Sequence, residues 1–198
     1  MLYYVRKLVN ISLLLMYRIL YRIVQTDKKT VLFMSFHGRS FSDNPRALYQ
    51  EMKQQDRFSD FSYVWVVRDA SMRIEGAKTV KFGSLAFFYY LAKSRYWIFN
   101  CKTYPFMIRK KDQVYLHDIQ ISSDAKFYRS GLNAQEMQST YDDDVKKYTY
   151  MIAPNSFCTR VFQSAFGIEK ERLIETGYPR NDILINADEQ KKQEIRAR

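Results

Sequence analysis

Two short strings hold the residue types best suited to binding an anion. The first is Ser42-Asp43-Asn44-Pro45-Arg46-Ala47, which follows an apolar run and opens a helical stretch. A helix N-terminus presents unpaired N–H groups and the positive end of the helix dipole. Arg39 and Arg46 stand close enough in sequence to add charge-assisted hydrogen bonds. The same residues also read as an ordinary capped helix start. The second string is Thr176-Gly177-Tyr178-Pro179-Arg180-Asn181-Asp182. Gly177 and Pro179 fix the backbone beyond a strand, and Arg180 is placed to meet phosphate; the alternative is a structural hinge. Only two histidines occur, His37 and His117. A neutral imidazole takes a hydroxyl proton near pH 7, although a lone histidine is more often structural. The basic stretch 93–111 interleaves Tyr96, Trp97, Tyr104 and Phe106. Such stretches stack nucleic-acid bases, but these aromatics equally fit a buried strand and its edge. Gly-rich phosphate loops, His-Glu-x-x-His, Cys-x-x-Cys and Gly-x-Ser-x-Gly are all missing from the sequence. No metal or other cofactor is expected.

The elements that must position these residues alternate in type. Thr30–Phe36 is a nearly continuous apolar run, as a strand buried on both faces requires. The segment Asn44–Gln55 reads as a helix, with Ser42 or Asp43 as its cap and Pro45 in its first turn. Phe61–Val67, Thr79–Phe82, Tyr96–Asn100, Gln113–Leu116, Tyr150–Ala153 and Arg172–Glu175 read as strands. Ser84–Ser94 and Ser156–Phe166 read as helices, and 118–149 as mixed helix and loop. This alternation predicts an α/β fold: a Rossmann-like, mostly parallel sheet with helices on both faces. Ligands then bind beyond the carboxyl ends of the strands.

The chain has 198 residues, enough for one domain with appendages. Hydrophobic residues at 46% exclude a disordered chain, and two cysteines exclude a disulfide framework. The net charge of +11 points to a polyanionic partner or an anionic surface. Residues 1–26 concentrate part of that charge. On a helical wheel Lys7, Arg18 and Arg22 share a narrow arc, flanked by Tyr3, Tyr17 and Tyr21, with a broad apolar remainder. That pattern predicts an amphipathic helix lying on an anionic membrane surface. The longest charge-free stretch, Leu8–Tyr17, is too short to span a bilayer. The expected organisation is a surface helix at 1–26, a Rossmann-like domain at 27–186, and the start of a further element at 187–198.

Four segments together resemble the CDP-glycerol glycerophosphotransferase family, the teichoic acid primases and polymerases. They are Phe36–Ala47, Tyr63–Arg68, Ile152–Thr159 and Glu175–Leu184, in family order. The resemblance implies the N-terminal, acceptor-side half of a glycosyltransferase-B-like architecture. It implies transfer of glycerol phosphate from CDP-glycerol to a polyprenyl-linked acceptor, with release of CMP. Peripheral attachment to the cytoplasmic face of a bacterial membrane is implied as well. The expected substrate-binding residues are Arg39, Ser42, Asp43, Asn44, Arg46, Asn155, Arg180 and Asn181. In one place the sequence departs from the family. A His-Gly-Thr-Pro segment, bearing the family's expected base, should follow the strand that here ends Val114-Tyr115-Leu116. Leu116 runs instead into His117-Asp118-Ile119, as though a short segment were deleted. The catalytic residue is therefore left open, with His117 as the candidate substitute. The resemblance also implies a C-terminal nucleotide-binding domain beyond residue 198, so a truncated form, inactive alone, is expected. The competing reading is a small basic module that binds a polyanion. That polyanion is nucleic acid or a teichoic-type polymer; under the main reading nucleic acid is not an expected partner.

Overall fold

In the computed structural model, the described residues are 2–118, 142–186 and 193. Seven parallel strands form one sheet: β1 (Asp27–Met34), β2 (Ser62–Val67), β3 (Lys78–Lys81), β4 (Ser94–Phe99), β5 (Val114–His117), β6 (Tyr150–Ala153) and β7 (Leu173–Glu175). Their order is β3-β2-β1-β4-β5-β6-β7, so the winding reverses between β1 and β4. The helices are α1 (Leu2–Ile23), α2 (Asp43–Gln54), α3 (Leu85–Lys93), α4 (Ser156–Phe166) and a short α5 (Asp182–Asn186). The expected Rossmann-like α/β class is what the chain adopts.

Strand β1 is central and buried without a break from Thr30 to Met34. Its side chains alternate between two cores, as the two-residue strand period requires. Leu32 and Met34 join Trp97, Phe99, Tyr115, Phe88 and Phe162 on one face. Val31 and Phe33 join Tyr49, Tyr63 and Trp65 on the other. The register Phe33↔Trp65 stacks those two rings at 5.2 Å. Helix starts follow local chemistry. Ser84 accepts from the Phe87 N–H at 3.2 Å and caps α3. Asn155 caps α4 through the Cys158 N–H at 2.9 Å.

Several expected boundaries move. Strand β1 begins at Asp27 and stops at Met34, two residues before the apolar run ends at Phe36. The chain then turns left-handed at Phe36 and His37, with φ of 47° and 57°, which no strand can accommodate. Strand β5 runs on through His117, pairing with Phe99 on one side and Met151 on the other. The sheet is thus continuous where the family motif is missing. Of the expected mixed segment 118–149, residues 119–141 lie outside the described residues, as does 187–198 apart from 193.

Helix α1 packs on the domain along one side. Tyr17, assigned from the wheel to the polar flank, is fully buried against Phe88, with ring centroids 6.0 Å apart. Its hydroxyl donates to the Ile108 carbonyl at 2.6 Å. Leu13, Met16, Leu20 and Tyr21 pack beside it on the domain. The helix therefore docks through its aromatic side. Its outer side exposes Ile11, Leu15, Ile19 and Ile23, at 44–68%. Among the described residues, no helix is long and apolar enough to cross a membrane.

Candidate functional site at the carboxyl edge of the sheet

The first turn of α2 and the Pro179–Asn181 turn meet although 136 residues separate them. The Arg180 N–H donates to Asn44 Oδ1 at 2.8 Å. The Arg180 guanidinium pairs with Asp43 Oδ1. The two strings singled out above thus form one structure. Asp43 itself sits at φ 66°, a left-handed conformation that its short polar side chain tolerates. Its second oxygen accepts from Asn100 Nδ2 at 2.6 Å. Asn100 Oδ1 in turn accepts the Phe36 N–H at 2.8 Å. A polar chain therefore runs from the end of β1, through the end of β4, to α2 and the Arg180 turn.

Its inner end is Asp118, which follows β5 and is fully buried. Asn44 Nδ2 donates to Asp118 Oδ2 at 2.5 Å, while Oδ1 has no partner among the described residues. Burial raises the Asp118 carboxyl from the ordinary 3.8 to about 7. The Asn44 hydrogen bond pulls the other way, nearby Asp43 raises it further, and Arg180 opposes that. The carboxylates of Asp43 and Asp118 stand at the end of α2 that was expected to receive an external anion. The helix N-terminus is met by the protein's own acids.

The other expected site residues are placed as follows. Ser42 precedes α2 without capping it through its side chain; Oγ bonds Ser40 Oγ at 2.7 Å instead. The Ser42 carbonyl accepts from Ser35 Oγ at 2.8 Å. Arg46 lies over the Phe41 ring at 5.2 Å and lines an open cavity of about 560 Å³. That cavity separates α2 from the segment carrying Thr176, Pro179 and Ile183. Arg39 and Asn181 are exposed. Asn155 is remote from this cluster in role: its side-chain oxygen is engaged in the α4 cap.

His117, the candidate substitute base, is a core residue. It is 1% exposed and stacks face to face on Tyr148 at 4.1 Å. Nδ1 lies 3.0 Å from the Tyr115 hydroxyl, and the buried Nε2 has no partner among the described residues. Burial lowers it from the ordinary 6.5 to about 4, so it is neutral near pH 7. Sealed from ligand, it cannot collect a proton from a substrate hydroxyl. Asn100, Asp118, Arg68 and Lys102 were not among the expected site residues. Their one sequence signal was position, each standing just beyond a strand. No group of three or more metal-ligating side chains occurs among the described residues.

The structure is a doubly wound α/β protein with a polar cluster beyond the carboxyl ends of its strands, where sheets of this kind bind their ligands. The sequence profile of the CDP-glycerol:poly(glycerophosphate) glycerophosphotransferases matches residues 15–198. The chain belongs to that family. It is 29% identical over 179 residues to a teichoic acid poly(glycerol phosphate) polymerase of Staphylococcus epidermidis, covering 85% of this chain and 24% of that protein. A Staphylococcus aureus teichoic acid glycerol-phosphate transferase is 28% identical over 192 residues, covering 91% of this chain and 48% of that one. The wall teichoic acid polymerase TagF, in a crystal soaked with CDPG, superposes with a TM-score of 0.84 at 26% identity. That match covers 99% of this chain and 51% of TagF. The chain thus spans between a quarter and a half of these two curated relatives.

Proposed function

We propose that this chain forms the acceptor-side half of a CDP-glycerol-dependent glycerophosphotransferase of teichoic acid synthesis. A second Rossmann-like half would supply the nucleotide site. The observation that carries this reading is the union of Asp43 and Asn44 with Arg180 at the carboxyl edge of the sheet. This union makes one wall of a cleft from the two most family-like strings. The site residues proposed to face ligand are Arg39, Arg46, Arg180 and Asn181. Asp43, Asn44 and Ser42 hold the wall in shape, and fixed cations there stabilise developing phosphate charge. The acceptor is a polyprenyl-linked hydroxyl. The exposed Ile11, Leu15, Ile19 and Ile23 of α1, with Arg18 and Arg22, are proposed to rest on an anionic membrane at the cytoplasmic face.

The test is transfer of labelled glycerol phosphate from CDP-glycerol to a polyprenyl-linked acceptor in anionic vesicles. The chain is assayed alone and mixed with the C-terminal half of a full-length relative, and the intact relative is the positive control. Expected is no turnover by the chain alone and restored turnover in the mixture. Turnover by the chain alone refutes the half-enzyme reading. Failure of the mixture with an active control refutes the acceptor-side role.

A further inference from the structure

We propose that His37 is the group that accepts the acceptor's hydroxyl proton in this chain, in the cleft it lines with Lys102, Thr103, Tyr104 and Lys147. This rests on the glycerophosphotransferase reading above.

His37 stands at the carboxyl end of β1, where the winding of the sheet reverses; open α/β sheets bind ligands at that point. Its backbone is held left-handed at φ 57° and ψ 36° by groups just beyond two strands, β4 and β2. Asn100 Oδ1 accepts the preceding Phe36 N–H at 2.8 Å. Cys101 Sγ accepts the His37 N–H at 3.3 Å. Arg68 Nε donates to the His37 carbonyl at 3.0 Å. An unfavourable conformation fixed from several elements is a mark of a functional position.

The ring has one defined tautomer. Nε2 lies 2.9 Å from the Lys102 carbonyl, and a carbonyl can only accept, so Nε2 carries the hydrogen. Nδ1 is then the bare lone pair, and it has no hydrogen-bond partner among the described residues. Tyr104 meets the ring edge-on at 5.4 Å and fixes its tilt. Burial is the main effect that holds the imidazole below its ordinary 6.5; the Lys102 hydrogen bond and Asp144 oppose it, and the charges of Arg68 and Arg39 support it, which keeps Nδ1 unprotonated near neutrality. The cleft beside it holds about 570 Å³. Asp144 on its wall is already engaged, accepting from the Thr103 N–H at 3.1 Å and the Tyr148 hydroxyl at 2.6 Å. Of the two lysines on the wall, Lys147 pairs with Asp144 at 3.7 Å and donates to Thr103 Oγ1 at 2.9 Å, and Asp143 adds a second carboxylate to the lining. Of the chain's two histidines, His117 is sealed in the core, which leaves His37 alone able to reach a ligand.

In the step itself, the acceptor O–H bond breaks and its proton passes to Nδ1. The freed oxygen pair forms a bond to the β-phosphorus of CDP-glycerol. The phosphorus–oxygen bond to CMP breaks, and its electron pair leaves on the CMP phosphate. The imidazolium then returns its proton to water.

The test titrates the full chain with sn-glycerol 3-phosphate, reading binding by calorimetry and the imidazole nitrogens by 15N NMR. The wild-type chain needs no variant for the NMR arm. Expected are a free-state spectrum with protonated Nε2, a shift of the His37 Nδ1 resonance on saturation, and at least roughly tenfold weaker binding by His37→Asn, a residue that tolerates the left-handed backbone. Binding with an unmoved His37 resonance and an unchanged affinity in H37N overturns the proposal. Absence of binding at millimolar probe overturns it as well. In the two-half transfer assay, H37N is expected to slow turnover by about 10²–10⁴-fold, the usual contribution of a general base. Full turnover by H37N overturns the role of His37 while leaving the glycerophosphotransferase reading in place. A mixture with no wild-type turnover counts against that reading instead, and the NMR arm then decides the cleft independently.

Discussion

Replacing Asp118 by Asn isolates the energetic consequence of burying a carboxyl at the hub of the site. The folded protein binds this proton up to pH about 7, whereas the unfolded chain releases it near 3.8. Between those values the native state holds more protons than the unfolded state. Stability from this group is therefore fully present below 3.8 and is lost as pH rises toward 7, levelling above it. At 1.36 kcal/mol per pH unit the gap corresponds to about 4 kcal/mol, an upper figure because relaxation and water entry reduce it. Asp118→Asn keeps an oxygen to accept from Asn44 and has no charge to bury. The variant is expected to match the wild type at pH 4 and to exceed it by about 2–4 kcal/mol at pH 8. For a chain of this size that is a rise in Tm of roughly 5–15 °C. Urea unfolding followed by circular dichroism at pH 4, 5, 6, 7 and 8 gives the difference curve directly. A variant-minus-wild-type difference that does not change with pH would refute the reasoning, because it would mean that Asp118 is ionised or solvated in the native protein.

Four other outcomes follow from the same geometry. His117 titrates in the opposite sense: its folded value near 4 lies below the ordinary 6.5, so its contribution is present above 6.5 and lost as pH falls toward 4. His117→Phe, which keeps the stack on Tyr148, is expected to remove up to about 3 kcal/mol of that acid destabilisation in the same pH series. Asn44→Ala strips Asp118 of its donor and the Arg180 N–H of its acceptor. It is expected to cost about 2–4 kcal/mol in urea unfolding and to increase amide exchange at 178–182. Gly38→Ala places a Cβ about 3.1 Å from the Val67 carbonyl carbon at φ 80°. A loss of about 2–4 kcal/mol, measured by thermal unfolding, is expected from the strained backbone and the clash. Tyr17→Phe deletes the bond to Ile108 and keeps the ring, so calorimetry should show about 1 kcal/mol; Tyr17→Ala should cost about 3–5 kcal/mol by leaving a cavity between α1 and α3.

The local chemistry of this chain was legible in its sequence. Apolar runs of strand length and the helical stretches 84–94 and 156–166 gave the order and type of the elements, because these signals act over a few residues. The α/β class followed from their alternation, and two of the four segments that carry the family likeness meet at the carboxyl edge of the sheet. Contacts between distant segments were not legible. Nothing in the spacing of Asp43 and Arg180 says that they pair: three strands separate β1 from β7 in the sheet, and only the return of the chain after β7 across the carboxyl edge brings Arg180 to α2. The helical wheel gave the amphipathicity of α1 but not which side docks, since Tyr17 can serve a membrane interface or a protein core equally well. The two histidines divide in the same way. Their residue type offered the same chemistry at both positions. The register of β5 turned His117 inward onto Tyr148, while the left-handed turn after β1 left His37 at the edge of the sheet. Sequence determines which groups a chain owns and which short elements they ride on. Their protonation, partners and access to ligand are set by burial and by long-range packing, which exist only once the sheet has assembled.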